Sequence, residues 1–517
     1  MQPVNSFSCL LRLKAQYLRG RTAFVPLRRR KRKRRHCMET LLHELDGILE
    51  ELLKQWNVAG MSVALVKDGR LLDARGYGKR DLEKDLPMTG STMMPIGSIT
   101  KSFTALALGM LADEGKLDWD KPVRTYIPWL KLMDPVTAER VTVRDLLCHR
   151  TGIPRYDLQV AFCALEDRKA QIETFQYLQP SADFRTVLQY SNQMVTIAGY
   201  LVEVLSGQSW ESFVKERIFD KLGMERTDFE MASLAKYDDT SKGYVFTGTG
   251  QAESGYMHLG ALAPAGGIVS CASDMARYAL FQLGDGTWEG TRLISRENLN
   301  MMHTRQMIGS PYFWSFEELQ SADYGLCWFT DIYRGKKMVS HGGNTNGFSS
   351  QLTLLPESGF GLVALSNATS SFSVNVLSNL LSDKVLGVRE IPDWNARYQE
   401  IFTGMMNGAL EGMKQRAEAR IPDTSPSHPL SEYCGSFSNP GFGSFSIEEK
   451  DGALTGKWNG FDALFTHYHY DCYDMTLPFM NAVLPVRFES GADGHIHSLS
   501  VPVEPTPGID PVVFIKN

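Results

Sequence analysis

Strand-forming sequence stands at both ends of the first 385 or so residues, and helix-forming sequence fills the middle. Residues 61–66 and 71–75 flank Asp68-Gly69, a hairpin signal. Strand patterns then return only at 336–340, 351–355 and 361–366, the last two joined by a turn at Glu357-Ser358-Gly359. Between them, 98–310 reads as helices and loops, and a helix over about 372–386 closes the segment. Strands so far apart share a sheet only if the chain closes on itself. The expected fold is therefore α+β: one antiparallel sheet assembled non-locally, flanked by helices, with a helical subdomain and a pocket at the seam.

Three short motifs fall into this frame in a fixed order. Ser98-Ile99-Thr100-Lys101 opens an apolar helical run that stops at Gly115. Residues three apart share a helix face, so Lys101 lies beside the Ser98 hydroxyl. A serine hydroxyl needs a base within hydrogen-bond reach, and burial turns a lysine into one by penalising its ammonium form. Tyr190-Ser191-Asn192 precedes a second apolar helix, 194–205, that ends at Gly207. It offers a second proton-transfer group in Tyr190 and an amide in Asn192 for substrate or Lys101. His341-Gly342-Gly343 lies among strands, where glycine lets backbone approach a ligand closely. The N–H of Asn344 is then a candidate oxyanion donor beside that of Ser98, with His341 and Gly343 bordering the substrate. Each motif alone is also an ordinary cap, capping loop or glycine turn. Together they are the parts needed for acyl transfer through a covalent serine.

These motifs resemble those of the serine β-lactamase and penicillin-binding-protein superfamily, in its class C-like branch. That branch holds D-alanyl-D-alanine carboxypeptidases, D-aminopeptidases and family VIII carboxylesterases. The stretches 146–154, 264–270 and 324–328 carry the same resemblance. It implies a β-lactamase/transpeptidase-like fold, with Ser98, Lys101 and Tyr190 catalytic and Asn192, His341, Gly343 and Asn344 binding substrate. One departure stands out: β-lactamases of the superfamily usually carry Lys-Thr-Gly where this chain has His341-Gly342-Gly343. A lysine there is a fixed cation for a substrate carboxylate, whereas histidine is mostly neutral at pH 7. The implied activity is a serine hydrolase of D-amino-acid peptides, amides or small carboxylic esters. A class C-like β-lactamase is the alternative enzyme, and a non-catalytic penicillin-binding-type scaffold the alternative of another kind.

The chain of 517 residues exceeds one ordinary core, and its content of 43% hydrophobic and 22% charged residues is that of a globular protein. Its net charge of −5 is uneven. Residues 1–37 hold 12 Lys/Arg and no acid, which leaves 42 basic against 59 acidic residues beyond them. A body that acidic argues against nucleic-acid binding. The basic segment, 1–37, reads as a disordered extension, an address, or sequence upstream of a true start at Met38. No apolar run reaches 18 residues, so no membrane span is expected. The eight cysteines are scattered without a Cys-x-x-Cys pair, which suits a reduced, cytoplasmic protein.

The hydrolase-like domain is placed at 38–386 and a helical connector and linker at 387–428, ending in Ile421-Pro422-Asp423-Thr424-Ser425-Pro426. Over 429–517 the pattern changes to seven short strands with Gly, Asn and Asp turns, which predicts a small β-barrel or sandwich. This tail resembles the lipocalin-like domain attached to some serine hydrolases of the family, which implies a role either in homo-oligomerisation or in shaping the cleft. His467/His469 and His495/His497 each share a strand face and could hold a metal. The catalytic scheme needs neither metal nor cofactor, and none is expected.

Overall fold

The computed structural model describes residues 27–248, 250–309, 315–480 and 482–517. The chain divides into two units, Met1–Ile48 and Leu49–Asn517. Helix α1 (Leu27–Gln55) starts in the first unit, inside the basic run, so residues 27–37 of the expected disordered extension are helical. Lysine and arginine are good helix formers, so a helix nucleated by the downstream apolar stripe propagates back through them. The remainder of the basic extension, 1–26, lies outside the described residues.

The second unit is built on an antiparallel sheet. Its main strands are β1 (Gly60–Lys67), β2 (Arg70–Asp81), β3 (Phe329–Tyr333), β4 (Lys336–Thr345), β5 (Phe348–Leu355) and β6 (Phe360–Ser366), in the order β3-β4-β5-β6-β1-β2. The amino-terminal hairpin thus joins the carboxy-terminal strands through β1 and β6, in the register Met61↔Ser366 to Lys67↔Phe360. Every residue of β1, β5 and β6 is buried, as expected of strands covered on both faces. Helix α4 (Ala272–Gln282) packs on β1 and β6, and α5 (Ser373–Leu386) on β5 and β6.

Helix α2 (Thr100–Asp113) is buried all round from Thr100 to Leu111. A helix without a wet face must satisfy its polar side chains internally. Thr104 Oγ1 donates to Pro264 O (2.8 Å), Tyr278 OH to Ser102 Oγ (2.9 Å), and Ile268 N to Thr100 Oγ1 (3.1 Å). These bonds tie the segment 264–268 to the start of α2. Helix α3 (Asn192–Ser206) packs on α2 and ends at Gly207, whose φ of +75° suits glycine.

Asp145 anchors the loops around this pair. Its fully buried carboxylate accepts from Arg185 Nη2 (2.7 Å), Thr142 N and Thr142 Oγ1 (both 2.8 Å), and Arg150 Nε. Burial pushes its pKa up, but the bonds from Arg185, Thr142 and Arg150 hold it below the usual carboxylate value. Asp145→Ala leaves the Arg150 and Arg185 guanidinium groups without the buried carboxylate that pairs them. The expected loss of stability is about 3 kcal/mol, to be measured by denaturant unfolding of the full chain.

Helix α6 (Trp394–Glu418) leads to a closed barrel of eight strands, β7–β14, running from Gly435–Asn439 to Val512–Lys516. The strand missing from the sequence reading is β11 (Cys472–Leu477), where Tyr473, Met475 and Leu477 point inward and polar residues alternate outward. It follows β10 (Phe461–His469) after a two-residue turn, so the two read as one segment. The histidine pairs bond locally, His467 to Tyr470 O, His469 to Ile421 N, His495 to Glu432 and His497 to Asp493. The barrel docks on the short helix Asp157–Phe162 of the hydrolase-like part. There Phe162 stacks on Trp458 with centroids 5.1 Å apart, and Gln159 Nε2 donates to Gly441 O (3.1 Å). Among the described residues no helix is long and apolar enough to cross a membrane.

Candidate active site

Ser98 sits in a single 3-10 turn, Gly97–Ile99, just before α2. The turn is locked by close backbone packing. Gly97 has φ +50°, and a Cβ on it would lie 2.9 Å from Asn344 N. A Cβ on Gly343 would lie 2.0 Å from Ile96 O. Ser350 Oγ also donates to Ile96 O (2.8 Å). Glycines at both positions bring the Asn344 amide beside the Ser98 segment. Strand β3 pairs with β4 only as far as Ser340, so among the described residues β4 is open on that side from His341 onward.

Lys101 has no exposed surface. Its Nζ donates to Ser98 Oγ (2.9 Å), Asn192 Oδ1 (2.7 Å) and Ala265 O (2.6 Å). Burial pushes its pKa down to about 7; Cys327 raises it, Arg155 lowers it and Asp157 raises it by smaller amounts. The donor inventory then settles the neutral form's geometry. Oδ1 and the carbonyl can only accept, so the two hydrogens of the free amine go to them and its lone pair faces the Ser98 hydroxyl.

Tyr190 lies with its ring centroid 5.0 Å from Lys101 Nζ and 5.0 Å from Arg155 Cζ. His149 packs against it at 4.3 Å and accepts a hydrogen bond from Ser191 N through Nδ1 (3.2 Å). Burial holds His149 well below the usual imidazole value. His341 is enclosed. Its Nδ1 faces Gly342 O (2.6 Å) and its Nε2 faces Tyr324 OH (2.8 Å). The carbonyl can only accept, so Nδ1 carries the hydrogen and Nε2 accepts from the tyrosine. Both nitrogens are occupied, and burial, reinforced by Lys101, pushes the pKa down to about 3. The His341 ring is therefore neutral and buried, and its Nε2 supports Tyr324.

The cleft, about 230 Å³, is lined by Ser98, Asn192 and Asn344 with Arg155 and Asp157, and by an apolar wall that includes Met257, Leu259 and, from the barrel, Met480. Arg155 and Asp157 were not singled out in the sequence, and His149, Tyr324 and Ala265 lie in stretches that carry the resemblance but were given no role. Arg155 follows directly on the stretch 146–154, and Ala265 lies within 264–270, so the signal lay beside them. Met480 had none, because it arrives from the barrel, far along the chain.

The family profile described as Beta-lactamase matches residues 45–382. The chain belongs to the beta-lactamase family. A second profile, described as a domain of unknown function (DUF3471), matches 419–516 and so covers the barrel. The chain is 27% identical over 505 residues to unguisins hydrolase ungD' of Aspergillus campestris, covering 92% of each. It is 25% identical over 343 residues to protein flp of Staphylococcus aureus, covering 65% of each. Among solved structures, the D-amino acid amidase of Ochrobactrum anthropi SV3 complexed with D-phenylalanine superposes with a TM-score of 0.55 at 25% identity, covering 67% of this chain and 98% of the amidase. The octameric penicillin-binding protein homologue of Pyrococcus abyssi superposes with a TM-score of 0.61 at 22% identity, covering 92% of this chain and 100% of the homologue. It shares the fold.

Proposed function

We propose that this member of the family is a serine hydrolase of D-amino-acid amides and peptides that works through an acyl-enzyme on Ser98. The observation that carries the reading is the Lys101 amine, enclosed by two obligate acceptors with its third position on the Ser98 hydroxyl. A base with a pKa near 7 is matched to neutral pH. In the proposed sequence Lys101 takes the Ser98 proton as Oγ attacks the carbonyl carbon. The N–H groups of Ser98 and Asn344 hold the oxyanion, and Tyr190 delivers a proton to the leaving amine. Water, deprotonated by the same pair, then releases the acid and restores Ser98. The similarity to a D-amino acid amidase supports this substrate class, and that to a hydrolase covered over 92% of both chains supports the hydrolase reading.

Small carboxylic esters are a second reading, favoured by the apolar wall of the cleft. A β-lactamase has less support, because His341 is neutral and enclosed where that chemistry expects a cation. The test compares kcat/KM for D- and L-alanyl p-nitroanilide, p-nitrophenyl butyrate and a chromogenic cephalosporin. The D-anilide should exceed its L isomer by at least about tenfold, the scale of one well-placed polar contact. Equal turnover of the two isomers, or a preference for the cephalosporin, overturns the assignment.

A further inference from the structure

The cleft carries a charge that the three motifs do not supply. Among the described residues lining it, Arg155 is the one cationic side chain. Lys101 is walled in by its three acceptors, and His341 has both ring nitrogens occupied. Neither can reach an anionic group on a substrate. The Arg155 side chain is 52% exposed, its Cζ lies 5.0 Å from the Tyr190 ring centroid, and its Nε donates to Asp157 Oδ2 (2.8 Å).

Arg155 and Asp157 flank a residue in an unusual conformation. Tyr156 has φ +45° and ψ +49°, the left-handed region that a bulky side chain rarely enters. Four contacts hold it there. Its hydroxyl donates to Gln179 O (3.0 Å), and its carbonyl accepts from Gln193 Nε2 (3.3 Å). Its ring packs on Phe442 of the barrel at 5.9 Å. Its N–H donates to Glu504 Oε2 (2.6 Å), also beyond the hydrolase-like part. Glu504 is 5% exposed, and its other oxygen accepts from Thr506 N (3.1 Å) and Thr506 Oγ1 (2.5 Å). The carboxylate is thus fixed on one side and grips the loop on the other. The residues on either side of left-handed Tyr156, Arg155 and Asp157, both line the cleft.

We infer that Arg155 is a specificity residue that binds a carboxylate on the substrate, and that Glu504 is the positioning residue that holds its loop for that task. The inference rests on reading the cleft as a hydrolase site and names a feature of its substrate. A guanidinium presents its donors in a planar fork that matches a carboxylate, and such charge-assisted bonds are about twice as strong as neutral ones. The barrel acts on substrate choice through a hydrogen bond to backbone, with Met480 completing the same wall.

The test measures binding rather than turnover, in the full chain carrying Ser98→Ala so that ligand is not consumed. Calorimetry compares D-alanyl-D-phenylalanine with its C-terminal amide, two ligands that differ only in the carboxylate. The acid should bind at least about tenfold more tightly, as expected for one charge-assisted contact. Adding Arg155→Gln should bring the ratio to about one, the loss of that same contact. Glu504→Ala should collapse the ratio with Arg155 still present, and Glu504→Gln, which keeps one acceptor for Tyr156 N–H, should restore part of it. A merely structural role for Glu504 would weaken both ligands together and leave their ratio intact. An acid no tighter than the amide, a ratio that survives Arg155→Gln or Glu504→Ala, or failure of both ligands to bind overturns the inference. The hydrolase reading fails separately, by an unreactive Ser98 in the wild-type chain, and leaves these ratios readable.

Discussion

Ser98→Ala should lower kcat/KM for the preferred D-aminoacyl substrate by about four to six orders of magnitude, the range seen when a catalytic serine is removed. The hydroxyl is the one nucleophile among the three groups bonded to Lys101 Nζ, at the opening of the buried helix α2. The substitution removes the atom that would carry the acyl group while leaving Gly97, Asn344 and the cleft wall in place. Alanine suits the short turn, so folding should be preserved and any residual rate should reflect binding and the oxyanion donors alone. A fluorophosphonate probe should label the wild-type chain on the peptide containing Ser98 and leave the variant unlabelled. Labelling that persists on another serine would falsify the assignment.

Lys101→Met should come close to the loss caused by Ser98→Ala, on the order of three or more orders of magnitude, because the hydroxyl then has no base beside it. Tyr190→Phe should also be severe. If the two residues move one proton in sequence, the double variant should be little worse than the poorer single one. Losses that simply multiply would separate their roles. The pH profile carries an independent signature. A base must be neutral to work, so kcat/KM should rise with pH through an apparent pKa near 7, be fully present above it and be lost below it. Two neighbours set the direction in which this limb moves. Arg155 lowers the Lys101 pKa and Asp157 raises it, so Arg155→Gln should shift the limb to higher pH and Asp157→Asn to lower pH. Shifts of the same sign for both variants would show that the limb belongs to another group.

The local features of the site are legible in the sequence because they depend on short-range geometry. A serine and a lysine three residues apart at a helix start must share a face, and Tyr190-Ser191-Asn192 before an apolar run must stand at a helix entrance. The hairpin at Asp68-Gly69 and the strands at 351–366 read correctly for the same reason, since alternation and turn residues are properties of a few neighbours. Even the non-local sheet follows, because strands stranded at both ends of a helical segment have only each other to pair with.

What the sequence could not supply depends on partners far away in the chain. The pKa of Lys101 falls because the surrounding core removes it from water, and no local pattern encodes that burial. His341 has the same motif position whether its ring faces substrate or the interior. Tyr324 and the Gly342 carbonyl decide for the interior by taking both nitrogens. The strand β11 hides because its turn is only two residues long, and the closing of the barrel is what marks it as separate. Arg155 stands beside a stretch that the sequence singles out, yet its place in the cleft depends on a left-handed Tyr156 held by Glu504, 348 residues away. The sequence by itself therefore determines the family and the placing of Ser98, Lys101 and Asn192 at two helix entrances. The tertiary structure decides the charge state, the orientation and the charge pattern of the cleft, because burial and hydrogen-bond partners are properties of packing between distant segments.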